Sequence, residues 1–143
     1  MNERSLILIK PDGVKRGIIG RVLTRFEEKG LKIVAMRMVH MTPQMSDLHY
    51  REHIERPFYP GLRDYITSGP VIALVLEAPG VISIVRTMNG VTDGAAAAPG
   101  TIRGDFAINR SENIVHASDS PESAAWEIQN FFPGLGSEGH PEQ

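Results

Sequence analysis

Residues 113–123 read NIVHASDSPES and combine the end of a predicted strand, a single histidine and the start of a predicted helix. The triplet Asn-Ile-Val at 113–115 predicts a short buried strand, since two of its residues are β-branched, and His116 follows at its end. Ser120 and Pro121 match the N-cap and the first position of a helix. The segment therefore predicts a strand-to-helix junction with His116 between the two elements.

A histidine at such a junction is a candidate nucleophile. The positive end of a helix dipole disfavours the protonated ring, and a neutral imidazole has a free lone pair. The same helix end attracts anions, phosphates above all. These features indicate phosphoryl transfer through a phosphohistidine on His116. The segment alone also allows a simpler interpretation, in which His116 is a polar strand-end residue with a satisfied hydrogen bond.

The composition is that of an ordinary globular domain. The chain has 143 residues, of which 41% are hydrophobic and 22% are charged, enough to bury one core. It has no cysteine, which excludes disulfides, thiolate catalysis and cysteine-ligated zinc. The formal net charge is only -2. Nucleic acid is therefore not the expected partner, and any polyanion must be met by a local cluster of cations.

Apolar runs in the chain are short. The longest, Val71 to Leu76, is far too short to span a bilayer. Near the N-terminus only Leu6 to Ile9 is apolar, which is too short for a signal peptide. We therefore expect a cytoplasmic protein that does not bind membranes.

Hydrophobic periodicity divides the chain into alternating elements. The apolar run 5–10 predicts a strand buried on both faces, and PDG at 11–13 interrupts it before a helix that continues to about Lys29. Further strands are predicted at 31–41 and 71–77, and further helices at 42–50, 62–67 and 80–88. Residues 89–112 predict a long irregular loop, and such a loop in a compact domain is usually functional.

The order β-α-β-(αα)-β-α-β is typical of an α+β, ferredoxin-like βαββαβ fold with an antiparallel sheet. The two extra helices then form an insertion between the second and third strands. No internal repeat or linker divides the chain. We expect one domain over residues 1–132 and a short, mobile tail over 133–143.

Glycine motifs for nucleotide binding are absent. Gly13, Gly17 and Gly20 follow a strand and precede a helix, but their spacing does not fit G-x-G-x-x-G. No G-x-x-x-x-G-K-S/T occurs either. A nucleotide enzyme with this sequence must therefore hold phosphates with side chains.

The segment HYREH at 49–53 matches H-x-x-E-H, a zinc motif of metallopeptidases. His49 and His53 on one helix could hold zinc. No third ligand has an obvious place, however, and Pro57 ends the helix almost at once. The match therefore does not predict a zinc site.

Three other residues are candidates by type and position. Lys10 ends a buried strand, where a cation is unusual, although its stem could also extend to solvent. Arg103 lies in the turn-rich stretch PGTIRGD, which can aim a guanidinium at phosphate. Phe58 lies between Pro57 and Pro60. Phenylalanine is more often a core residue, but two nearby prolines favour an exposed, rigid corner suited to stacking on a base.

Five segments in order resemble the nucleoside diphosphate kinases, and the similarity extends from Glu3 to about Phe132. They are IKPDGVKRGIIG (9–20), HYREHIERPFYPGL (49–62), SGPV (68–71), PGTIRGDF (99–106) and NIVHASDSPES (113–123). The resemblance implies transfer of a γ-phosphoryl group from a nucleoside triphosphate to a nucleoside diphosphate. The transfer would be ping-pong through a phosphohistidine on His116, with Mg²⁺ present. It also implies a homo-oligomer, with a hexamer favoured and a tetramer as the alternative.

The same resemblance implies the site residues. His116 is the nucleophile, Lys10 and Tyr50 border the transferred group, and Ser118 and Glu127 orient the histidine. Of the segment HYREH, the resemblance takes only Tyr50 into the site, which implies that His49 and His53 face solvent. The nucleotide would be bound by cationic, polar and aromatic side chains: Lys10, Phe58, Arg86, Thr92, Arg103 and Asn113. No cage of carboxylates is visible, so the magnesium ion would be carried by the nucleotide phosphates and water.

The chain departs from the family pattern at three places. Ala117 stands where glycine is commoner, and Arg110 occupies a position near the base that is commonly apolar, so its guanidinium could form a second jaw opposite Phe58. Asp93-Gly94 stands where the family often has Asn-Pro. From this difference, Gly94→Pro is predicted to stabilise each chain by about 0.4–1 kcal/mol where the native φ is compatible.

Two other classes of protein are compatible with the predicted fold. A catalytically silent nucleotide-binding or regulatory module of the same fold would lack activity, but every matched functional position is filled. A ferredoxin-like nucleic-acid binder would need exposed aromatics on its strands and a basic chain, and neither is present.

Overall fold

The computed structural model describes residues 2–135. Its centre is a four-stranded antiparallel sheet of β1 (Glu3–Ile9), β2 (Lys32–Val39), β3 (Val71–Ala78) and β4 (Val115–Ala117) in the order β2-β3-β1-β4. The helices are α1 (Pro11–Lys15), α2 (Ile19–Glu28), α3 (Pro43–His49), α4 (Tyr59–Ile66), α5 (Val81–Asn89), α6 (Ile102–Phe106) and α7 (Pro121–Phe131). This architecture confirms the ferredoxin-like α+β prediction, and α3 with α4 forms the insertion between β2 and β3.

The hydrophobic core lies on both faces of the two central strands. From its third residue onward, β1 is completely buried, and β3 is buried up to Glu77. The two strands pair over their whole length, for example Leu6 with Val75 and Leu8 with Ala73. Continuous apolar sequence in these strands is thus explained by helices packed on both sides of the sheet.

Helix starts follow the capping signals in the sequence. Thr42 caps α3 by accepting a hydrogen bond from the Met45 N–H, and α3 ends at His49, one residue before the predicted end. Ser120 caps α7 through a reciprocal capping box with Ser123. Both helices begin with proline, whose missing N–H has no intrahelical partner to lose at that position.

Three helical segments differ from the sequence predictions. PDG at 11–13 does not simply break the chain but opens the short helix α1, with Pro11 in its first turn. The helix α4 begins at Tyr59 rather than at residue 62, since Pro60 is accommodated in the first turn. Residues 89–112 are not wholly irregular, because α6 forms after the cap Thr101, whose hydroxyl accepts from the Gly104 N–H.

The last strand is displaced by two residues from its predicted place. β4 comprises Val115–Ala117, so His116 lies in the strand, opposite Leu8, rather than after it. Asn113 and Ile114 are excluded from the strand because the Val115 N–H donates to the Asn113 carbonyl at 2.8 Å, which closes a three-residue turn. The central residue of that turn, Ile114, has a φ of 72°.

Within residues 2–135, no helix is long and apolar enough to cross a membrane. Of the predicted mobile tail, Pro133–Leu135 are described, and the remainder lies outside the described residues.

Candidate active site

A cavity of about 780 Å³ opens beside β4 and α7. The cavity is lined by nine of the ten residues predicted for the site, which are Lys10, Tyr50, Phe58, Arg86, Thr92, Arg103, Asn113, His116 and Glu127. The tenth, Ser118, is completely buried behind the cavity wall and contacts Glu127. The fold thus brings together residues that are separated by more than one hundred positions in the chain.

The ring of His116 is held through one nitrogen. Its Nε2 lies 3.2 Å from Oε1 of Glu127, and the same oxygen accepts a hydrogen bond of 2.7 Å from the Ser118 hydroxyl. An ionised carboxylate can only accept, so Nε2 must carry the proton. In the neutral ring, Nδ1 then has the free lone pair, and it is the nitrogen able to attack an electrophile.

The Glu127 carboxylate is itself positioned by the fold. Glu127 lies two turns into α7 from the Ser120 cap, and the residue is only 4% exposed. Ser118, its hydroxyl donor, accepts in turn from the Leu6 N–H of β1 at 3.0 Å. A buried carboxylate with two donors is tolerable, because its charge is compensated by hydrogen bonds.

The turn that precedes His116 has an uncommon backbone conformation. A β-branched residue at positive φ costs about 1–3 kcal/mol and persists only when its surroundings enforce it. Here the Ile114 N–H donates to Oδ2 of Asp12 at 3.0 Å, and the Ile114 carbonyl accepts from the Lys10 N–H at 2.7 Å. Asp12 is fixed in turn by a hydrogen bond from the Tyr65 hydroxyl. Sequence reasoning missed Asp12 and Tyr65, and the only signal was an aspartate directly after a buried strand.

Arg103 holds the same turn from the cavity side. Its guanidinium donates to the carbonyls of Asn113 (3.3 Å), Gly90 (2.8 Å) and Val115 (2.6 Å). Burial, and then the neighbouring Arg86, lowers its pKa to about 10. Three of its five N–H donors are therefore committed to backbone, and two remain for an anion in the cavity.

Lys10 and Asn113 form a polar pair in the cavity wall. The Lys10 ammonium donates to Oδ1 of Asn113 at 2.6 Å, and the Asn113 amide donates to the Thr92 carbonyl at 2.9 Å. Burial, and then the positive charge of Arg103, lowers the pKa of Lys10 to about 8. The lysine does not extend to solvent, since it is only 8% exposed.

The expectation that His49 faces solvent is wrong. The residue is 3% exposed, and its ring packs edge-on against the ring of His116, with the ring centroids 4.6 Å apart. Burial, and then His116, Lys10 and His53, lowers its pKa well below the usual range. His49 was misplaced because α3 turns it inward, and a short polar sequence did not reveal which side is buried.

His53 does lie at the surface, as expected. Because α3 ends at His49, the two histidines do not share a helix, and the zinc arrangement expected of H-x-x-E-H does not form. Tyr50 is 8% exposed beside His49, and burial, then the Glu127 carboxylate, raises its pKa.

The outer part of the cavity suits a planar group. Phe58 is 57% exposed, and both Phe58 and the exposed Arg110 line the cavity. Asp119 also lines it and was missed by the sequence analysis. Its Oδ1 accepts from the Ser123 hydroxyl at 2.7 Å, and this hydrogen bond lowers the pKa of the Asp119 carboxyl. The cavity therefore contains a nucleophilic nitrogen, several cations, an ionised carboxylate and an exposed aromatic ring.

Comparisons with known proteins agree with this site. The family profile described as "Nucleoside diphosphate kinase" matches residues 3–135. A nucleoside diphosphate kinase of Nocardioides sp. is 55% identical over 135 residues, covering 94% of this chain and 100% of the relative. One of Archaeoglobus fulgidus is 56% identical over 130 residues, covering 91% and 86%.

Solved structures give the same result. A halophilic nucleoside diphosphate kinase from Halobacterium salinarum, in complex with CDP, superposes with a TM-score of 0.92 at 40% identity, covering 100% of this chain and 95% of that one. A nucleoside diphosphate kinase family protein from Babesia bovis superposes with a TM-score of 0.90 at 45% identity, covering 99% and 95%.

Proposed function

This chain belongs to the nucleoside diphosphate kinase family and is a nucleoside diphosphate kinase, and we propose that His116 is its nucleophile and carries the phosphoryl group as a phosphohistidine. The observation that carries this proposal is the hydrogen bond between Nε2 of His116 and Glu127. It leaves the lone pair on Nδ1, in a ring that lines the cavity.

The reaction divides into two displacements. In the first, the Nδ1 lone pair attacks the γ-phosphorus, the N–P bond forms, and the bond to the β,γ-bridging oxygen breaks, so that the nucleoside diphosphate leaves. In the second, a β-phosphate oxygen of the acceptor attacks the phosphohistidine and the N–P bond breaks. The Glu127 carboxylate stabilises the positive charge that develops on the ring in each step.

The remaining site residues bind and orient the nucleotide. Phosphoryl transfer depends mainly on positioning and on charge stabilisation. Arg86, Arg103 and Thr92 serve the phosphates, and the two uncommitted N–H groups of Arg103 suit that role. Lys10 and Asn113 serve the ribose hydroxyls and nearby phosphate oxygens, and Lys10 with Tyr50 borders the transferred group.

Phe58 stacks on the base. Stacking reads no base-specific hydrogen bonds, so purines and pyrimidines are both accepted. Arg110 lines the same cavity and can form the opposite jaw through its guanidinium plane.

The site also fits magnesium. Mg²⁺ prefers oxygen ligands and usually keeps several waters while it binds phosphates. Asp119 is an exposed carboxylate that lines the cavity and stays ionised, so it would add one oxygen to those of the nucleotide. The ion would neutralise phosphate charge next to the cationic side chains.

We further propose a homo-oligomer, with a hexamer favoured and a tetramer as the alternative. The edge strand β2 supports association, because Met36 and Met38 are 50% and 59% exposed on it. An exposed apolar edge strand is an aggregation hazard unless something covers it. Light scattering of the purified chain gives the subunit number. A cytoplasmic location stays a prediction from the sequence.

The direct test of the proposed chemistry is labelling by γ-labelled ATP without an acceptor. The wild type should retain one labile phosphoryl group per chain, sensitive to acid and released by added nucleoside diphosphate. His116→Ala should retain none. An acid-stable label, or equal labelling of the variant, would assign the phosphoryl group to another residue.

A further inference from the structure

The proposed reaction assigns no role to His49. The residue is only 3% exposed, and neither Nδ1 nor Nε2 of its ring has a hydrogen-bond partner among the described residues. Buried polar atoms are normally satisfied, and an unsatisfied one calls for a partner. The neighbours of its ring are aromatic: His116, Tyr50, Phe131 and Trp126.

The unpartnered ring belongs to a group of three potential metal ligands. His49, His116 and Glu127 each offer one donor atom, and these atoms lie within 4.8 Å of one another. Zn–N bonds of about 2.0–2.1 Å imply about 3.3 Å between donors in a tetrahedral site. The 3.2 Å separation of Nε2 of His116 and Oε1 of Glu127 already matches that spacing. An inward movement of His49 by about 1.5 Å would complete the set on the same geometric basis.

We propose that His49, His116 and Glu127 form a binding site for one borderline transition-metal ion such as Zn²⁺, and that its occupation blocks phosphoryl transfer. Two imidazoles and one carboxylate are the ligand set of several zinc centres, whereas Mg²⁺ takes oxygen ligands. The side chain of His116 is 22% exposed and lines the cavity, which provides an entry path and room for a water as fourth ligand.

Zinc would block phosphoryl transfer because the metal and the phosphoryl group use different nitrogens of the same imidazole ring. Zinc on Nε2 needs the lone pair there, so the ring proton must reside on Nδ1, and Nδ1 then cannot attack phosphorus. In the phosphohistidine, Nδ1 is bonded to phosphorus and the proton on Nε2 faces Glu127, so zinc would have to displace that proton before it could bind. The metal and the phosphoryl group therefore compete for the ring of His116. This part rests on the proposed role of His116, whereas the binding of metal does not.

The first test is calorimetric titration of Zn²⁺ into nucleotide-free enzyme. His49→Phe keeps the ring packing and removes the ligand, so it should weaken the zinc site at least about tenfold, at the lower end of losses for perturbed metal sites. His40→Gln is the matched control, because His40 is a histidine outside the cavity, and it should bind as the wild type does. His53→Gln should also leave binding unchanged.

Three results would overturn the proposal. They are zinc binding by the wild type weaker than about 1 mM, equal affinity in His49→Phe, and loss of the site in His53→Gln. The last result would assign the metal to the H-x-x-E-H segment instead.

The second test needs no substitution. Co²⁺ replaces Zn²⁺, and its visible absorption reports nitrogen and oxygen ligands. Unphosphorylated enzyme should develop the absorption, excess Mg²⁺ should not remove it, and enzyme first phosphorylated with ATP and then desalted should need a higher Co²⁺ concentration to develop it. Equal affinity of the phosphorylated form for Co²⁺ would contradict the competition. Failure of the chain to phosphorylate at all would count against the proposed function, while the His49→Phe comparison would still decide the metal site.

Discussion

Glu127 and His116 form a hydrogen-bonded pair, with Oε1 of the carboxylate 3.2 Å from Nε2 of the ring, at the junction of α7 and β4. The side chain of Glu127 is 6% exposed and that of His116 is 22% exposed. The carboxylate is thus shielded from solvent while the ring remains accessible from the cavity. Under the proposed mechanism, this arrangement leaves Nδ1 as the nitrogen that reacts.

His116→Ala should abolish transfer and leave nucleotide binding near normal. Removal of a covalent nucleophile costs at least about 10⁴-fold in kcat, on the scale of other nucleophile deletions. Steady-state kinetics gives the loss, and titration with a nucleoside diphosphate gives the affinity. Retention of more than a few per cent of activity would rule out a phosphohistidine at this position.

Glu127→Gln should lower kcat by about 10²- to 10⁴-fold with little change in KM, since the neutral amide cannot stabilise a developing imidazolium and can favour the wrong tautomer. Glu122→Gln is the matched control, because Glu122 is an exposed residue in the first turn of the same helix. A comparable loss in both variants would point to the stability of α7 rather than to the ring of His116.

Lys10 should make nucleotide binding depend on pH. Its pKa of about 8 in the nucleotide-free site means that its positive charge is lost as the pH rises through 8. Affinity for a nucleoside triphosphate should therefore fall from pH 7 to pH 9. Lys10→Gln should bind more weakly at pH 7 and show no such fall. A parallel pH profile in the variant would assign the titration to another group.

The lowered pKa of Lys10 also makes the stability of the protein depend on pH. Nucleotide affinity should fall as the pH rises, whereas this contribution to stability should increase. Between about pH 8 and the ordinary lysine value of 10.5, the unfolded chain binds more protons at Lys10 than the native chain does. The free energy of unfolding contributed by this group therefore rises with pH in that window. Denaturant titrations of the wild type and of Lys10→Gln at pH 8 and pH 10 separate the contribution of Lys10 from those of other titrating groups.

Phe58→Ala should weaken the binding of all nucleotides by about 1–3 kcal/mol, the range for base–aromatic stacking. The ring is 57% exposed at the cavity, so its removal should not disturb the core. Phe58→Trp should restore affinity. Arg110→Ala should also weaken binding if the guanidinium forms the opposite jaw. Unchanged affinity in Arg110→Ala would show that only one face of the base is covered.

Gly94→Pro should destabilise the protein, contrary to the expectation from sequence. Gly94 is buried, its N–H donates to the Asn109 carbonyl at 3.0 Å, and an added Cβ would lie 2.5 Å from the carbonyl carbon of Ala107. Proline would remove the donor and bring the clash. Gly94→Ala, which keeps the N–H, should lose about 1–3 kcal/mol, as overpacked sites do.

Gly20→Ala is the matched control for Gly94→Pro and Gly94→Ala. Gly20 lies in α2, is exposed, and has open space around an added Cβ. Alanine there should stabilise by about 0.5–1 kcal/mol, the helix preference over glycine. Thermal melts of the three variants and the wild type give the order of their melting temperatures. A higher melting temperature for Gly94→Pro than for the wild type would show that the loop can repack around residue 94.

Much of the fold and of the site could be predicted from local sequence. The continuous apolar runs of β1 and β3 require burial on both faces, and the caps Thr42 and Ser120 mark helix starts by their own hydrogen bonds. The match to the family pattern located nine residues that line one cavity, together with Ser118 behind it. These features depend on residue type, spacing and order, which the chain displays directly.

Other features depend on contacts between distant segments, and only the tertiary structure decided them. β4 is displaced by two residues because Ile114 is held at positive φ by Asp12 and Lys10, which lie more than one hundred positions away. His49 is buried because α3 packs against α7 and β4, a relation that its polar neighbours in sequence do not indicate. Gly94→Pro is expected to destabilise because the N–H of Gly94 donates to Asn109 and an added Cβ would meet Ala107. Local propensity carries no information about such partners, and each is determined by packing across the fold.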